Sequence, residues 1–328
     1  MAPSALDDVS GLDRISDWIR WGASRFAAAE LQYGHGTDNA LDEAYYLVLH
    51  TLGLPYSLPS TYLDARLTDT EKQAVHTLLR RRVESRQPAA YLIGEIEFAG
   101  LRFEVDARVL VPRSPFAELI ERGFGPWVTG VPQTVLDLCT GSGCIGIACA
   151  VAFDDAAVTL ADLSPEALVV ARKNVARHGL APRVECRQGD LWNAVPERRY
   201  DLIVSNPPYV PTAEWNDLAP EYRAEPRMAL EAGGDGMDVV ARILAGAADH
   251  LSADGWLFCE VGGSVEEFTA RWPELPVTWV DFERGGDGIF AIDRPTLMAH
   301  RATVVADSSE TAIMHAFPDR GRAAFHVW

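Results

Sequence analysis

The stretch Ser205-Asn206-Pro207-Pro208-Tyr209 directly follows the apolar run Tyr200-Asp201-Leu202-Ile203-Val204. A run of this kind, stopped by turn-formers, reads as a buried parallel strand ending at a loop. In an open α/β sheet, ligands bind outside the carboxyl ends of the strands. Two prolines stiffen this loop, since each fixes φ at about −65° and lacks an N–H, and Pro207 keeps Asn206 extended. The loop therefore offers carbonyls, one amide side chain and one aromatic ring, with almost no backbone donors. That set suits a planar group carrying an NH2. Asn206 Oδ1 and the Pro207 carbonyl can each accept one of its hydrogens, Pro208 completes the turn, and the Tyr209 ring packs on its face. Such a grip holds an amide or exocyclic amine for attack through nitrogen. On these residues alone, a stiff turn without chemistry is an equal alternative.

Other strand ends must deliver the rest of a site. Thr134-Val135-Leu136-Asp137-Leu138 predicts a strand, followed by the turn Cys139-Thr140-Gly141-Ser142-Gly143 and a helix to about Val151. Gly141 and Gly143 permit positive φ and close approach of backbone to a ligand. The string Gly141-Ser142-Gly143-Cys144-Ile145-Gly146 fits a dinucleotide fingerprint, which keeps a dehydrogenase open although a lone match is weak. Asp137 is less expected of such a site; it suits a ligand bearing a cation, or it holds the glycine loop. A second strand, Val158 to Ala161, ends in Asp162, about 20 residues on, where a ribose diol would lie. The alternative for Asp162 is a cap on the helix opening at Pro165. A third strand, Arg183 to Gln188, leads to Gly189-Asp190-Leu191, where Asp190 could accept from an adenine amino group and Leu191 could pack on the ring. Loops from four strands thus converge on one rim.

The remaining chain divides by period. Residues from about Leu12 to Gln87 read as helical, with Thr68-x-x-Glu71 a capping box for a helix ending in Arg80-Arg81-Arg82 and Arg86. Those cations read as end-charging of a helix dipole, with a contact patch for RNA or an acidic partner as the alternative. Glu95 to Phe98 and Leu101 to Val105 alternate about Ala99-Gly100 as a β-hairpin. A long aperiodic segment, Val210 to Met237, reads as functional or a lid. Helix Asp238 to Leu251 and strand Gly255 to Val261 resume the alternation, and Thr278 to Phe282 with Ile289 to Ile292 form a closing hairpin.

Composition bounds the rest. The 328 residues are 48% hydrophobic, enough for a substantial core in two domains. No apolar run is long enough to span a membrane and no secretion signal is apparent. The five cysteines fit neither a disulfide framework nor a zinc site, so the chain reads as cytoplasmic and reduced. A formal net charge of −18 argues against autonomous DNA binding through phosphates.

Asp137-Leu138-Cys139-Thr140-Gly141-Ser142-Gly143, Asp162, Asp190 and Asn206-Pro207-Pro208-Tyr209 together resemble the motifs of class I S-adenosylmethionine methyltransferases acting on nitrogen. Tyr91-Leu92-Ile93-Gly94-Glu95-Ile96-Glu97-Phe98 and the helical N-terminal part are similar to the HemK/Prm glutamine methyltransferases. Pro112-Arg113-Ser114-Pro115-Phe116, in place of the release-factor motif, looks like the branch modifying large-subunit ribosomal protein L-three. Cys139 stands where many relatives carry glycine, which is tolerable if its φ is negative. The resemblance implies an α/β fold, a doubly wound, Rossmann-like sheet with a closing antiparallel hairpin and a small N-terminal helical domain. It implies a substrate-recognition domain over 1–87, a hairpin linker over 88–112, a catalytic domain over 113–295 and an unassigned tail over 296–328. Implied too are S-adenosylmethionine as methyl donor and a glutamine of ribosomal protein L-three, or of a release factor, as acceptor. Cys139 to Gly143, Asp137, Asp162, Asp190, Leu191 and Asn206 would hold the cofactor, while Asn206, Pro207, Pro208 and Tyr209 would hold and orient the amide. An adenine-amino methyltransferase on nucleic acid and a non-catalytic ribosome-assembly factor are the rival classes. The first would need a cationic groove.

Overall fold

The computed structural model describes residues 8–196 and 198–307, which group into two compact units. The first unit holds residues 8–97, 102–113 and 218–226, and the second holds 98–101, 114–217 and 227–307.

In the first unit, α1 (Ile15–Ala28), α2 (Ala40–Thr51) and α3 (Asp69–Ser85) pack around Trp18, Phe26, Leu47 and Leu79, and α4 (Ala89–Ile93) follows. The expected capping box is present: the Thr68 hydroxyl accepts from Glu71 N at 3.3 Å and Glu71 Oε2 accepts from Thr68 N at 2.7 Å. At the α2 amino end, Asn39 Oδ1 accepts from Leu41 N and Asp42 N. These caps satisfy helix N–H groups that have no partner inside the helix. The predicted hairpin forms from β1 (Glu95–Phe98) and β2 (Leu101–Glu104).

In the second unit, helices and strands alternate as α5 (Phe116–Glu121), β3 (Thr134–Leu138), α6 (Cys144–Ala152), β4 (Ala157–Asp162), α7 (Pro165–Arg177), β5 (Val184–Gln188) and β6 (Tyr200–Ser205). Then come α8 (Thr212–Asp217), the short helix α9 (Pro220–Arg223, part of the first unit), α10 (Asp238–His250), β7 (Leu251–Glu260), α11 (Val265–Arg271), β8 (Thr278–Trp279), β9 (Ile289–Asp293) and α12 (Arg294–Ala299). The seven strands of the larger sheet run in the order β5-β4-β3-β6-β7-β9-β8. The first four pairings are parallel and the two involving β9 are antiparallel. Chain order reverses at β3, so the crevice beside its carboxyl end is the topological switch point.

Residues 218–226 belong with the N-terminal helices because buried charges hold them there. Glu225 accepts from Arg113 through both oxygens at 2.7 and 2.8 Å, from Val111 N at 2.8 Å, and lies 3.4 Å from His35 Nε2. Burial alone would raise the Glu225 carboxyl, but the neighbouring His35 imidazole and the Arg113 hydrogen bonds prevail and hold it below its ordinary range. Glu221 receives Arg86 at 2.9 Å, and Arg82 lies between Glu43 at 2.7 Å and Glu221 at 3.7 Å. Arg82 is wholly buried and Arg86 also binds the carbonyls of Ala29 and Glu30. Half of the arginine cluster at the end of α3 is therefore an internal ionic network, neither simple end-charging nor an exposed contact patch.

Candidate functional site

One row across the sheet explains why the candidate groups meet. Ala161, Leu138, Ser205 and Cys259 are register partners on β4, β3, β6 and β7. The next residue along each strand stands at the same level: Asp162 and Glu260 as the last residues of β4 and β7, and Cys139 and Asn206 as the first residues past β3 and β6. The Ser205 hydroxyl fastens two of these ends by donating to the Leu138 carbonyl at 2.8 Å.

The glycine turn is braced from below by Asp137. Its side chain is 1% exposed, and Oδ2 accepts from the Thr140 hydroxyl at 2.6 Å and from Gly146 N at 2.9 Å. Oδ1 is buried without a hydrogen-bond partner among the described residues. Burial outweighs these hydrogen bonds and pushes the carboxyl up to about 7. Gly146 is required here by close packing, since a Cβ there would sit 2.3 Å from Leu160 Cδ2 and 2.9 Å from Asp137 Cβ. Thr140 N donates to the Ala161 carbonyl, Gly141 N to Asp162 and Gly143 N to the Thr140 carbonyl. Ser142 is buried, and its carbonyl accepts from Asn174. The turn is thus held largely by internal bonds.

Cys139 departs from expectation: its φ is +59°, not negative. The strand must turn sharply to bring Thr140 N onto the neighbouring strand's Ala161, and a side chain in that left-handed region costs roughly 1–2 kcal/mol.

Asp162 serves backbone groups with both oxygens, Gly141 N at 2.8 Å and Ser164 N at 2.8 Å. Burial, partly offset by these bonds, raises its carboxyl. A carboxylate has about four acceptor positions, so capacity remains for a hydroxyl. Asp190 is bound by Arg242 at 2.6 Å, and Leu191 turns into the core at 8% exposure with φ +49°. Leu163, adjacent to Asp162, is instead 53% exposed.

At the end of β6, Asn206 is half-buried and makes no side-chain hydrogen bond among the described residues, while Pro207 is buried. Tyr209 is held along its length. Its hydroxyl donates to Glu260 Oε1 at 3.4 Å and its carbonyl accepts from the Ser264 hydroxyl at 3.1 Å. The ring lies against Gly262, where a Cβ would come within 2.7 Å of ring atoms and φ is +49°. Glu260 also receives the Ser114 hydroxyl at 2.5 Å. Ser114, Glu260, Gly262 and Ser264 are additions that the sequence reading missed.

The rim is rich in acceptors: two aspartates, the orphaned oxygen beneath the turn and the carbonyls of a proline loop. Such a set fits hydroxyls and cations, the groups that S-adenosylmethionine carries as a ribose diol, an ammonium and a sulfonium. Space above the turn is open, with no atom within 4 Å of a Cβ built on Gly141. Sheet order, glycine turn and this rim together define a class I methyltransferase.

Comparison with known proteins narrows the class. Residues 128–235 match the methyltransferase small domain model and residues 17–94 match the PrmC N-terminal domain model. The ribosomal protein uL3 glutamine methyltransferase of Bordetella pertussis is 49% identical over 87% of this chain and 97% of its own length. The protein of the same name from Xanthomonas campestris pv. campestris is 50% identical over 93% of this chain and 98% of its own length. A solved methyltransferase from Pyrococcus furiosus aligns with 60% of this chain and 89% of its own at 19% identity and a TM-score of 0.44. The chain belongs to the ribosomal protein uL3 glutamine methyltransferase family. Among the described residues no helix is long and apolar enough to cross a membrane, and the five cysteines are free thiols.

Proposed function

We propose that this chain methylates the side-chain amide nitrogen of a glutamine in ribosomal protein uL3, with S-adenosylmethionine as donor, in the cytoplasm. Family membership supports the reaction class and the substrate. The observation that carries the residue assignment is Asn206: a half-buried amide without a side-chain hydrogen bond among the described residues, at a strand end, beside a buried proline.

When bound, S-adenosylmethionine supplies a methyl group made electrophilic by its sulfonium. Asp137 and the turn from Cys139 to Gly143 would hold its amino-acid end, Asp162 its ribose, and Asp190 its adenine amino group, whereas Leu191 faces the core and would not cover the ring. The carboxamide nitrogen is a poor nucleophile because its lone pair is delocalised into the carbonyl. Asn206 Oδ1 and the Pro207 carbonyl would each accept one N–H, fixing the nitrogen toward the donor. Orientation of this kind can contribute about 7–11 kcal/mol in favourable cases. The same acceptors stabilise positive charge growing on nitrogen. Pro208 and Tyr209 wall the site against water, which would compete for both acceptors. No strong base is required beforehand, because the nitrogen becomes acidic as it is alkylated and can release its proton late.

Mass spectrometry after incubation with isolated uL3, a release factor and duplex DNA tests the reading. Methylation of one uL3 glutamine is expected, and modification of the release factor or of adenine instead would replace it.

A further inference from the structure

Glu260 has a position and partners that the proposed mechanism leaves unused. It ends β7, the strand beside β6, where it still pairs with Ile289 of β9, and it follows the register pair Ser205 and Cys259, so it stands level with Asn206. It is 5% exposed. Its two oxygens point to two different hydroxyls: Oε1 takes Tyr209 at 3.4 Å and Oε2 takes Ser114 at 2.5 Å. Ser114 Oγ in turn accepts from Phe116 N at 3.1 Å, which fixes the direction of its own proton toward the carboxylate. Two O–H donors converging on an acceptor-only group is a pattern that neither an amide nor a hydroxyl reproduces as well. The charge makes each bond stronger than one between neutral groups. Tyr209 is fixed at its other end by Ser264 and along its ring by Gly262, so the Glu260 bond completes its restraint.

We infer that Glu260 is a positioning residue for methyl transfer, tying the Tyr209 hydroxyl to Ser114 so that the Asn-Pro-Pro-Tyr turn keeps one shape around the carboxamide. This rests on the function proposed above. Glu260 acts through Tyr209, not on the reacting atoms. Its loss should therefore lower turnover without weakening the cofactor.

The test compares Glu260→Ala, Glu260→Gln, Ser114→Ala and Tyr209→Phe for kcat and KM on uL3, with S-adenosylmethionine affinity measured by calorimetry. Removing a hydrogen bond to a charged group should lower kcat about tenfold or more in Glu260→Ala, with cofactor Kd nearly unchanged. Glu260→Gln should recover part of this, because its amide oxygen still accepts one hydroxyl. Combined with Tyr209→Phe, Glu260→Gln should lose much of its separate effect, as coupled groups do. Wild-type kcat in Glu260→Ala, or effects of Glu260→Gln and Tyr209→Phe that simply multiply, would overturn the inference alone. If Glu260→Ala does not fold, Ser114→Ala and Tyr209→Phe carry the test, each removing one hydroxyl, and unchanged kcat in both would overturn it. A wild-type chain that binds cofactor yet methylates no glutamine overturns the proposed function first.

Discussion

Asp137→Asn separates the cost of a buried charge from its use. Both hydrogen bonds to this side chain converge on one oxygen, from Thr140 and Gly146, while the other oxygen has no partner among the described residues. An asparagine placed with its oxygen at the first position keeps both bonds and carries no charge. Burial raises the native carboxyl from 3.8 to about 7. At about 1.4 kcal/mol per tenfold change in protonation, that displacement corresponds to ~4 kcal/mol. The sign follows from linkage. Between the two values the folded chain binds a proton that the unfolded chain has released, so stability contributed by this group is full below 3.8 and falls as pH rises through about 7. Denaturant unfolding of the cofactor-free protein across that range should show a falling limb for the wild type and a flatter one for Asp137→Asn. The variant should be the more stable of the two at pH 8, by up to ~4 kcal/mol. Calorimetry should show it binding S-adenosylmethionine less tightly if, as proposed above, Asp137 serves the cofactor's cationic end, because that anion is then gone. Identical pH slopes in the two proteins would refute the reasoning.

Other perturbations address separate parts of the account. Glu225→Ala should cost about 3–5 kcal/mol in urea unfolding, because it removes the buried carboxylate that both Arg113 and the Val111 N–H donate to. The wild-type contribution should be present above pH 4.5, the ordinary value, and lost as pH falls through the lowered folded value. Cys139→Gly should relieve a φ of +59° and leave the unfolding midpoint equal or higher, whereas Cys139→Ala retains the strain and should gain nothing. Gly262→Ala should cut methyl transfer while sparing cofactor affinity, since the added Cβ would push on the Tyr209 ring at 2.7 Å.

Much of the architecture was legible because it rests on local chemistry. The strand Thr134–Leu138, the Thr68 capping box and the hairpin about Ala99-Gly100 are written in period, caps and turn residues, and the structure has all three. The rim was legible for a similar reason: turn-formers at strand ends announce themselves. What was hidden depends on distant partners. Residues 218–226 lack period because Glu225 is ordered by Val111, 114 positions away. Arg82 looks like any arginine near a helix end until Glu43 is beside it. Glu260 is a single acid after an apolar run, and nothing nearby in sequence marks Tyr209 and Ser114 as its partners. Leu191 and Asp190 were expected to face a ligand. The backbone at Leu191 takes a positive φ and turns its side chain into the core, and Arg242 occupies one side of Asp190.

The central claim is that Asn206 acts chiefly by orienting the carboxamide, its share in holding the cofactor being minor. The most direct measurement pairs calorimetry of S-adenosylmethionine with mass spectrometry of uL3, for the wild type and Asn206→Ala. Similar cofactor affinity in both, with glutamine methylation in the wild type and a loss of about a hundredfold or more in the variant, is the predicted result. Methylation persisting in Asn206→Ala, or cofactor binding lost in step with transfer, would contradict it.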